Sequence, residues 1–595
     1  MTNIRLVFLR EKLTFGENPM MIKTYIVSVL FIFCCVEQPV YAQSPHVMHS
    51  TKLNPYKYET EKSVVCNKGA VVSAHALASM VGVNILKEGG NAVDAAIATQ
   101  LALAVVYPGA GNIGGGGFMV LHLESGENIS IDYREVAPAA ASRDMYLDTN
   151  GNPQMHLSQD GHLAAGVPGT IAGLFAAMKY TRLPFTKLIQ PAIELAENGF
   201  AVTQRQAESF NETREEFVRL NTTVPVFVKN TAWKAGDTLL QRDLANTLRR
   251  IRDSGAKGFY EGETARLITE EMTRGHGIIS AADLKNYEAK IRKPLIFDYK
   301  GNTVVTMPLP SSGGIIIEQV LKMSDNHKLS DMKFETAASV QLMVETERRS
   351  FADRAKFLGD PDFIKVPVSK LVSDEYLKIR MSDFVAGKAG NSKDTKDGMP
   401  AKEKEETTHF NVLDQEGNAV SVTTTLNGSY GSKTVVAGAG FLLNNEMDDF
   451  SVKPGVANMY GAVGAEANAI APGKRMLSSM TPTIVLKNNK PWIVLGTPGG
   501  TTIPTSVYQT IVDIIDFKMT PQDAVNRPKF HHQWLPDEIY VEKGFDEKVV
   551  LQLEKMGYKV TTRSEIGRTE VIMIMPDKTI QAVGDHRGDD SAAGY

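Results

Sequence analysis

A densely charged segment that ends at Thr407 is the part of the sequence best suited to chemistry. Ten of the nineteen residues from 388 to 406 are charged, and only three are Ala or Met. Such a composition does not bury enough apolar surface to order itself, so we expect a flexible tether. Thr407-Thr408-His409 follows directly and opens an alternating apolar pattern that is typical of a strand.

Thr407 becomes a candidate nucleophile if the peptide bond before it breaks. The new α-amine would have a pKa of about 8, so it could accept the proton of the adjacent hydroxyl near neutral pH. One residue would then supply both nucleophile and base. We expect His409 to be a structural residue of the strand rather than a general base. A solvated linker between two domains is the simpler interpretation of the same charged segment, and position alone does not exclude it.

Five further stretches occur in a fixed order with this threonine. They are residues 132–138 (DYREVAP), 417–427 (GNAVSVTTTLN), 443–451 (LNNEMDDFS), 474–480 (KRMLSSM) and 496–500 (GTPGG). Together with residues 407–409, the set resembles the γ-glutamyltranspeptidases, or glutathione hydrolases, of the N-terminal-nucleophile hydrolase superfamily. The resemblance covers most of the chain. It departs in detail at position 446, which is Glu where some members carry Gln, and at Met476, where Pro is frequent.

The resemblance implies a precursor that cuts itself between Glu406 and Thr407 into two subunits that stay associated. The large subunit would span residues 43–406 and end in the charged tether, and the small subunit would span residues 407–595. The two would form one intertwined domain. The expected fold class is α/β (α+β), as a four-layer αββα sandwich of the N-terminal-nucleophile hydrolase type.

The resemblance also assigns catalytic roles. Thr407 is expected to be the nucleophile, and Thr425 the second threonine that hydrogen-bonds it. Gly499 and Gly500 match the oxyanion hole, where backbone N–H groups must approach a developing negative charge without a side chain intervening.

The expected substrate contacts divide between the two charges of a γ-glutamyl head group. At the α-carboxylate they are Arg134, Ser478 and Ser479. At the α-ammonium they are Asn427, Glu446 and Asp449. A guanidinium binds a carboxylate in a bidentate manner, and two carboxylates favour a cation. Tyr460 matches a lid residue.

These roles imply glutathione and other γ-glutamyl compounds as donors, and water, amino acids or dipeptides as acceptors. No metal or cofactor is required, and the sequence has no His and Cys cluster with ligand spacing. The net charge of −4 and the absence of a basic patch give no indication of a nucleic-acid partner.

Two alternatives remain open at this point. One keeps the fold but changes the substrate, as an acylase for glutaryl amides or an enzyme that cleaves poly-γ-glutamate. Glu446 and Asp449 argue against a glutaryl group, and the lid-like segment 451–472 argues against a polymer. The other alternative is an exported binding protein that never cleaves itself.

The elements that must position these residues follow from hydrophobic periodicity and turn residues. Predicted helices cover residues 71–106, interrupted at 89–91, and then 186–198 and 507–515. Predicted strands are residues 118–123, 299–307, 483–486 and 492–495, with a hairpin over 410–426. Residues 308–314 are expected to be a loop that enters a helix.

Residues 109–114 (GAGNIG) match the dinucleotide-binding pattern GxGxxG, but in the wrong context. That pattern functions when a strand precedes it and a helix follows it. Here a helical run precedes it and a strand pattern follows. We interpret the glycines as a close crossing of two backbone segments.

The N-terminus resembles a secretory signal peptide. Lys23 precedes a short apolar run, and Val40-Tyr41-Ala42 has the small or aliphatic residues of a cleavage site. Residues 1–42 are therefore expected to be an N-terminal extension with a signal peptide. The apolar run is too short for a stable membrane anchor. We therefore expect an exported protein, periplasmic or secreted. It would retain Cys66 alone, as a buried thiol without a disulfide partner.

Overall fold

The chain after Thr407 forms the hairpin that its alternating pattern predicts. In a computed structural model, which describes residues 53–392 and 407–595, the strand Thr408–Leu413 pairs antiparallel with the strand Ala419–Thr425. The carboxylate of Asp414 closes the turn, because it accepts hydrogen bonds from the backbone N–H groups of Gly417 and Asn418, at 3.0 and 2.9 Å. The hairpin prediction is confirmed.

The strands are numbered in chain order. They are β1 (Ser63–Cys66), β2 (Ala70–Ser73), β3 (Gly116–His122), β4 (Asn128–Asp132), β5 (Phe200–Ala201), β6 (Thr238–Leu239), β7 (Lys290–Arg292), β8 (Leu295–Tyr299), β9 (Asn302–Thr306), β10 (Thr408–Leu413), β11 (Ala419–Thr425), β12 (Thr483–Lys487), β13 (Lys490–Gly496), β14 (Phe530–His531), β15 (Ile539–Glu542), β16 (Val560–Arg563), β17 (Glu570–Ile574), β18 (Ile580–Val583) and β19 (Ser591–Gly594).

The α-helices are numbered in the same way. They are α1 (Ala76–Lys87), α2 (Ala92–Val106), α3 (Met155–Gln159), α4 (Thr170–Ala177), α5 (Phe185–Asn198), α6 (Gln204–Glu212), α7 (Arg214–Leu220), α8 (Arg242–Ser254), α9 (Lys257–Tyr260), α10 (Gly262–Gly275), α11 (Ala281–Lys285), α12 (Gly313–Asn326), α13 (Ala337–Phe357), α14 (Val368–Leu371), α15 (Asp374–Arg380), α16 (Thr502–Ile515), α17 (Pro521–Asn526) and α18 (Glu547–Lys555).

Two large antiparallel sheets each combine strands from both sides of Thr407. The first sheet has the order β19-β2-β10-β11-β3-β4-β7, so that the hairpin lies between β2 and β3. The second sheet has the order β1-β18-β17-β13-β12-β9-β8. The part of the chain before Thr407 and the part after it therefore share both large sheets, and neither part contains all the strands of either one.

The two sheets pack face to face, with helices on their outer sides. Side chains such as Phe118 and Val120 of the first sheet contact Ile484 and Val494 of the second in one apolar layer. Helices α1 and α2 cover the outer face of the first sheet, and α12, α13 and α16 cover that of the second. This arrangement confirms the predicted four-layer αββα sandwich.

Two local predictions were wrong in part. The predicted helical region that starts at Val71 begins as strand β2, because residues 70–73 pair with β10 and β19. The predicted strand 299–307 is the end of β8, a turn and then β9. Lys300 there adopts a φ of 52°, and Gly301 a φ of 75°, which reverse the chain.

The first residues of the expected tether are packed against the body of the protein. The backbone N–H of Ala389 donates to the carbonyl of Met556 at 2.8 Å. Ser392 is buried, and its backbone N–H donates to the carboxylate of Asp537 at 2.8 Å. Tertiary acceptors thus order the first five residues of a segment whose composition predicted flexibility. The rest of the tether, up to Glu406, lies outside the described residues.

The expected signal peptide also lies outside the described residues. Within residues 53–392 and 407–595, no helix has the length and apolar content needed to cross a bilayer. Cys66 is buried, and its burial raises the pKa of the thiol.

The glycines of residues 109–114 mark a close backbone crossing, as predicted. Helix α2 precedes them and strand β3 follows. A Cβ on Gly111 would lie 2.2 Å from the carbonyl oxygen of Leu103, and one on Gly114 would lie 2.1 Å from that of Leu442. These contacts involve backbone atoms, which cannot move aside as a flexible side chain could.

Polar side chains of the hairpin fill the space between the two sheets. His409 Nδ1 is 2.9 Å from Thr423 Oγ1, and His409 Nε2 is 3.0 Å from Asn411 Oδ1. The imidazole ring lies against the Cα of Gly496. Burial lowers the pKa of His409 to about 3, although the hydrogen bond with Asn411 opposes the shift. The imidazole is therefore neutral and part of the core.

Replacing Gly111 by Ala should destabilise the protein through this crossing. The added methyl group would force the α2 backbone and the following loop apart, at a cost of about 3 kcal/mol or more. The control is Gly126→Ala, where the methyl group meets no atom within 4 Å and only the positive φ of 87° is penalised, by about 1–2 kcal/mol. Thermal melting should show the larger loss for Gly111. An equal or smaller loss would contradict the crossing.

The buried His409 should make stability depend on pH. Its folded-state pKa is about 3 and its unfolded pKa is about 6.5, so only the unfolded chain takes up a proton between these values. Stability is then complete above pH 6.5 and decreases as the pH falls toward 3. At pH 5 the loss from this one imidazole is about 2 kcal/mol.

The check compares thermal melting at pH 7 and pH 5. His409→Gln should narrow the difference in melting temperature between the two pH values, because the variant has no imidazole to protonate. His276→Gln, at an exposed position, serves as the control. If His409→Gln keeps the full pH dependence of the parent protein, the buried imidazole does not cause it.

Candidate active site

Thr407 lies one residue before β10, at the edge of a cavity between the two sheets. Its Oγ1 is 3.4 Å from Oγ1 of Thr425, the last residue of β11, and both residues are buried. Thr425 Oγ1 accepts a hydrogen bond of 2.7 Å from the backbone N–H of Asn427. Because that lone pair is engaged, the hydroxyl proton of Thr425 is free to point at the Thr407 oxygen.

Arg134 follows β4, in the part of the chain before Thr407, and lines the same cavity. Its guanidinium is almost fully buried and contacts Glu446 Oε2 at 2.6 Å and the carboxylate of Asp449. Glu446 and Asp449 belong to a single 3-10 turn, so one short segment presents both carboxylates. Glu135 lies 3.8 Å from the same guanidinium.

The charges of this cluster are unequal, because one guanidinium faces three carboxylates. Burial disfavours the charge on Arg134, but the carboxylates outweigh this effect and raise its pKa. Burial raises the pKa of Glu446 against the attraction of Arg134, and it raises the pKa of Glu135 to about 8. The cluster has more carboxyl groups than cations, and a ligand that brings a cation would lower the raised pKa values and favour the ionised carboxylates.

Ser478 and Ser479 lie in a loop that the second sheet and α12 hold in place. The carbonyl of Ser478 accepts hydrogen bonds from the backbone N–H and the hydroxyl of Ser312, at 2.8 and 2.7 Å. Ser312 ends the loop that enters α12, as the sequence predicted. Ser479 Oγ accepts a hydrogen bond of 3.4 Å from Nη2 of Arg354 on α13.

Gly499 and Gly500 form the turn between β13 and α16. Both have positive φ values, of 132° and 54°, which the absence of a side chain permits. A Cβ on Gly500 would lie 2.6 Å from the ring of Tyr460, so that ring covers the turn directly. The hydroxyl of Tyr460 donates to the carbonyl of Asn427.

Asn427 connects these parts of the site. It has a φ of 77°, in the left-handed region that Asn tolerates better than most residues. Its side-chain amide donates to the carbonyl of Asn445 at 3.0 Å. One residue thus contacts Thr425, the Tyr460 hydroxyl and the segment that carries Glu446.

Thr407 lies between two openings of different size. The small cavity holds about 20 Å³ and is lined by Arg134, Glu446, Asp449 and other predicted site residues. That volume fits about one water molecule. On its other side, Thr407 borders a groove of about 730 Å³ that includes Gly499. Tyr460 is among the residues that line the small cavity.

The structure brings together every predicted site residue that it describes. These are Arg134, Thr407, Thr425, Asn427, Glu446, Asp449, Tyr460, Ser478, Ser479, Gly499 and Gly500. Glu406 lies outside the described residues. In the described part of the chain, no three His, Cys, Asp or Glu side chains are arranged to hold a metal ion.

Three residues at the site were not singled out from the sequence. Glu135 lies behind Arg134, and its carboxylate has no hydrogen-bond partner among the described residues. Asn458 donates to Asp449 Oδ1 at 2.9 Å. Arg354 lies on α13, where a run of charged residues resembles a solvated helix face. One sequence feature could have indicated that Arg354 is buried: charged and apolar residues are mixed on all sides of that helix.

Comparisons with known proteins agree with this geometry. The model of the family described as Gamma-glutamyltranspeptidase matches residues 78–595. The glutathione hydrolase proenzyme of Escherichia coli (strain K12) is 46% identical over 550 residues, which are 91% of this chain and 95% of that protein.

Solved structures show the same architecture. Cephalosporin acylase from Bacillus halodurans has a TM-score of 0.78 at 26% identity, over 92% of this chain and 99% of that one. Helicobacter pylori γ-glutamyltranspeptidase has a TM-score of 0.53 at 43% identity, over 57% of this chain and 96% of that one. The chain therefore belongs to the γ-glutamyltranspeptidase family.

Proposed function

We propose that this protein is a self-processing γ-glutamyltransferase and glutathione hydrolase. The observation that carries the proposal is the position of Thr407. Its hydroxyl lies 3.4 Å from that of Thr425 and borders the cavity that contains Arg134, Glu446 and Asp449. Membership of the γ-glutamyltranspeptidase family, with a glutathione hydrolase proenzyme at 46% identity, supports the same activity.

The first stage is cleavage of the precursor before Thr407. The Thr407 hydroxyl attacks the carbonyl carbon of Glu406, and the C–N bond of that peptide breaks as the acyl group moves from nitrogen to oxygen. Water then hydrolyses the resulting ester. Glu406 leaves with a carboxylate, and Thr407 is left with a free hydroxyl and a free α-amine.

The shared sheets explain why the two pieces would remain together. Strand β10 pairs with β2, and β11 pairs with β3, so the hairpin that starts after the cut is hydrogen-bonded to the large subunit on both sides. Separation would expose these strand edges and the apolar layer between the sheets. The product is a heterodimer of residues 43–406 and 407–595.

In the second stage, the Thr407 oxygen attacks the γ-carbonyl of a donor such as glutathione. The α-amine takes the hydroxyl proton and returns it to the leaving amine, which is cysteinylglycine for glutathione. Backbone N–H groups at Gly499 and Gly500 stabilise the oxyanion. Water, an amino acid or a dipeptide then attacks the γ-glutamyl ester and regenerates Thr407.

The two ends of the γ-glutamyl head group are recognised by opposite charges. The α-ammonium separates Glu446 and Asp449 from Arg134 and replaces Arg134 as their cationic partner, with Asn427 beside it. The α-carboxylate then binds the guanidinium of Arg134 and the hydroxyls of Ser478 and Ser479. Tyr460 moves aside for entry and closes over the bound head group.

A glutaryl acylase is the second candidate, because the cephalosporin acylase has the same fold at 26% identity. A glutaryl group has no ammonium, so it would leave Glu446 and Asp449 with Arg134 as their shared cation and would not use the excess of carboxylates. The excess of carboxylates in the cavity therefore favours the γ-glutamyl substrate. The sequence pattern of residues 1–42, which resembles a secretory signal peptide, supports export to the periplasm or beyond.

Replacing Thr407 by Ala should abolish both cleavage and turnover, because the same oxygen performs both. Thr408→Ala is the matched control. Thr408 is the next residue and equally buried, but its hydroxyl has no hydrogen-bond partner in the described structure. On a denaturing gel, the parent and Thr408→Ala should give two fragments, and N-terminal sequencing of the smaller one should begin at Thr407. Cleavage of Thr407→Ala at this bond would contradict the mechanism.

Replacing Asp449 by Asn should weaken selection for the ammonium group. We expect kcat/KM for a γ-glutamyl anilide to fall about 10- to 100-fold, which is the contribution of one charged hydrogen bond. The rate for a glutaryl anilide, which has no ammonium, should change much less. The control is Glu466→Gln, which removes an exposed carboxylate from the lid-like segment 451–472. This variant should preserve the ratio of the rates for the two anilides. Equal losses on both anilides, or faster turnover of the glutaryl compound by the parent, would favour the acylase.

A further inference from the structure

Arg354 is a second buried guanidinium at the cavity. It lies near the end of α13 and lines the cavity together with Arg134, Ser479 and Thr407. Its Nε donates to Ser312 Oγ at 3.1 Å, and its Nη2 donates to Ser479 Oγ at 3.4 Å. Both partners are neutral hydroxyls.

Neighbouring arginines on the same helix are paired with carboxylates. Arg348 contacts Glu345 at 3.3 Å, and Arg349 contacts Asp383 at 2.7 Å. Within residues 53–392 and 407–595, no carboxylate lies at ion-pair distance from Arg354, although it is about as buried as those two. A buried cation without a paired anion is costly, which points to an anion that binds there.

The charge state of Arg354 is consistent with a missing anion. Burial lowers its pKa to about 10, with Asp449 opposing and Arg134 adding to the shift. For Arg134 the shift has the opposite sign, because its carboxylate neighbours are in contact. The cavity thus contains one guanidinium that is satisfied by protein carboxylates and one that is not.

Two hydroxyls connect Arg354 to the proposed carboxylate-binding loop. Ser312, which accepts from Arg354 Nε, donates to the carbonyl of Ser478 at 2.7 Å. Ser479 accepts from Nη2 directly. Because its oxygen is the acceptor in this contact, the Ser479 hydroxyl proton remains free to donate to an anion in the cavity.

On the basis of the proposed function, we infer that Arg354 is a specificity-determining residue for the substrate α-carboxylate. It orients the Ser479 hydroxyl as a donor and places a second positive charge behind it. Arg134 and Arg354 then approach the carboxylate from two elements, β4 and α13, on either side of the Ser478-Ser479 loop. Donors without a carboxylate at that position gain nothing from Arg354.

The test compares two anilides that share the ammonium group and the reacting amide. The γ-glutamyl anilide has the α-carboxylate, and the 4-aminobutyryl anilide lacks it. Arg354→Gln should lower kcat/KM for the γ-glutamyl anilide roughly 10- to 100-fold, mainly through KM. For the 4-aminobutyryl anilide it should change less than about threefold. Arg354→Lys keeps the charge and should recover part of the loss.

Lys356→Gln is the control, because it removes one positive charge from the same helix at an exposed position. Cleavage before Thr407, seen on a denaturing gel, shows that each variant is folded. Equal losses on both anilides, or no loss on either, would show that Arg354 has only a structural role. As a second readout, the inhibition constant of L-glutamate against the γ-glutamyl anilide should rise in Arg354→Gln, and an unchanged constant would overturn the inference. Failure of the parent protein to hydrolyse the γ-glutamyl anilide would instead refute the proposed function.

Discussion

The pairing of the β10–β11 hairpin between β2 and β3 is the constraint on which the rest of the site depends. It fixes Thr407 at the start of β10, an inner strand of the first sheet, so that a free N-terminus would be followed directly by a rigid strand. It also joins the two parts of the chain before any bond is cut. A threonine on a mobile loop would lack both properties, since a small displacement of a nucleophile costs much of its rate.

The second organising feature is the distribution of buried charge around Thr407. Glu135, Glu446 and Asp449 surround Arg134, whereas Arg354 has only hydroxyl partners among the described residues. Neither group is balanced by itself. In the proposed function, a zwitterionic head group would supply a cation to the first and an anion to the second, so that binding would satisfy both. This complementarity gives specificity more than raw affinity.

Much of the fold could be predicted from local sequence patterns, whereas the residues of the site were predicted from the resemblance to a known family. The alternating pattern after Thr407 predicted the hairpin, and the context of residues 109–114 predicted the backbone crossing. Strand pairing between distant parts of the chain could not be predicted. Residues 71–73 were predicted to be helical, but they form β2 because they pair with β10 and β19, which lie far away in sequence.

Arg354 was missed because a charged run predicts a solvated helix face, and only tertiary packing buries it. The opposite error affected the start of the tether. Its composition predicted flexibility, but Ser392 is buried, and its backbone N–H donates to a carboxylate far along the chain. In both cases the deciding partners lie more than forty residues away in sequence.

The most direct test of the central claim is to identify the atom that carries the γ-glutamyl group during turnover. The enzyme would be mixed with a γ-glutamyl donor, quenched in acid, digested and mapped by mass spectrometry. The account predicts one γ-glutamyl group in ester linkage on the peptide that begins at Thr407. A γ-glutamyl group on any other residue, or steady turnover with no adduct at any quench time, would contradict it.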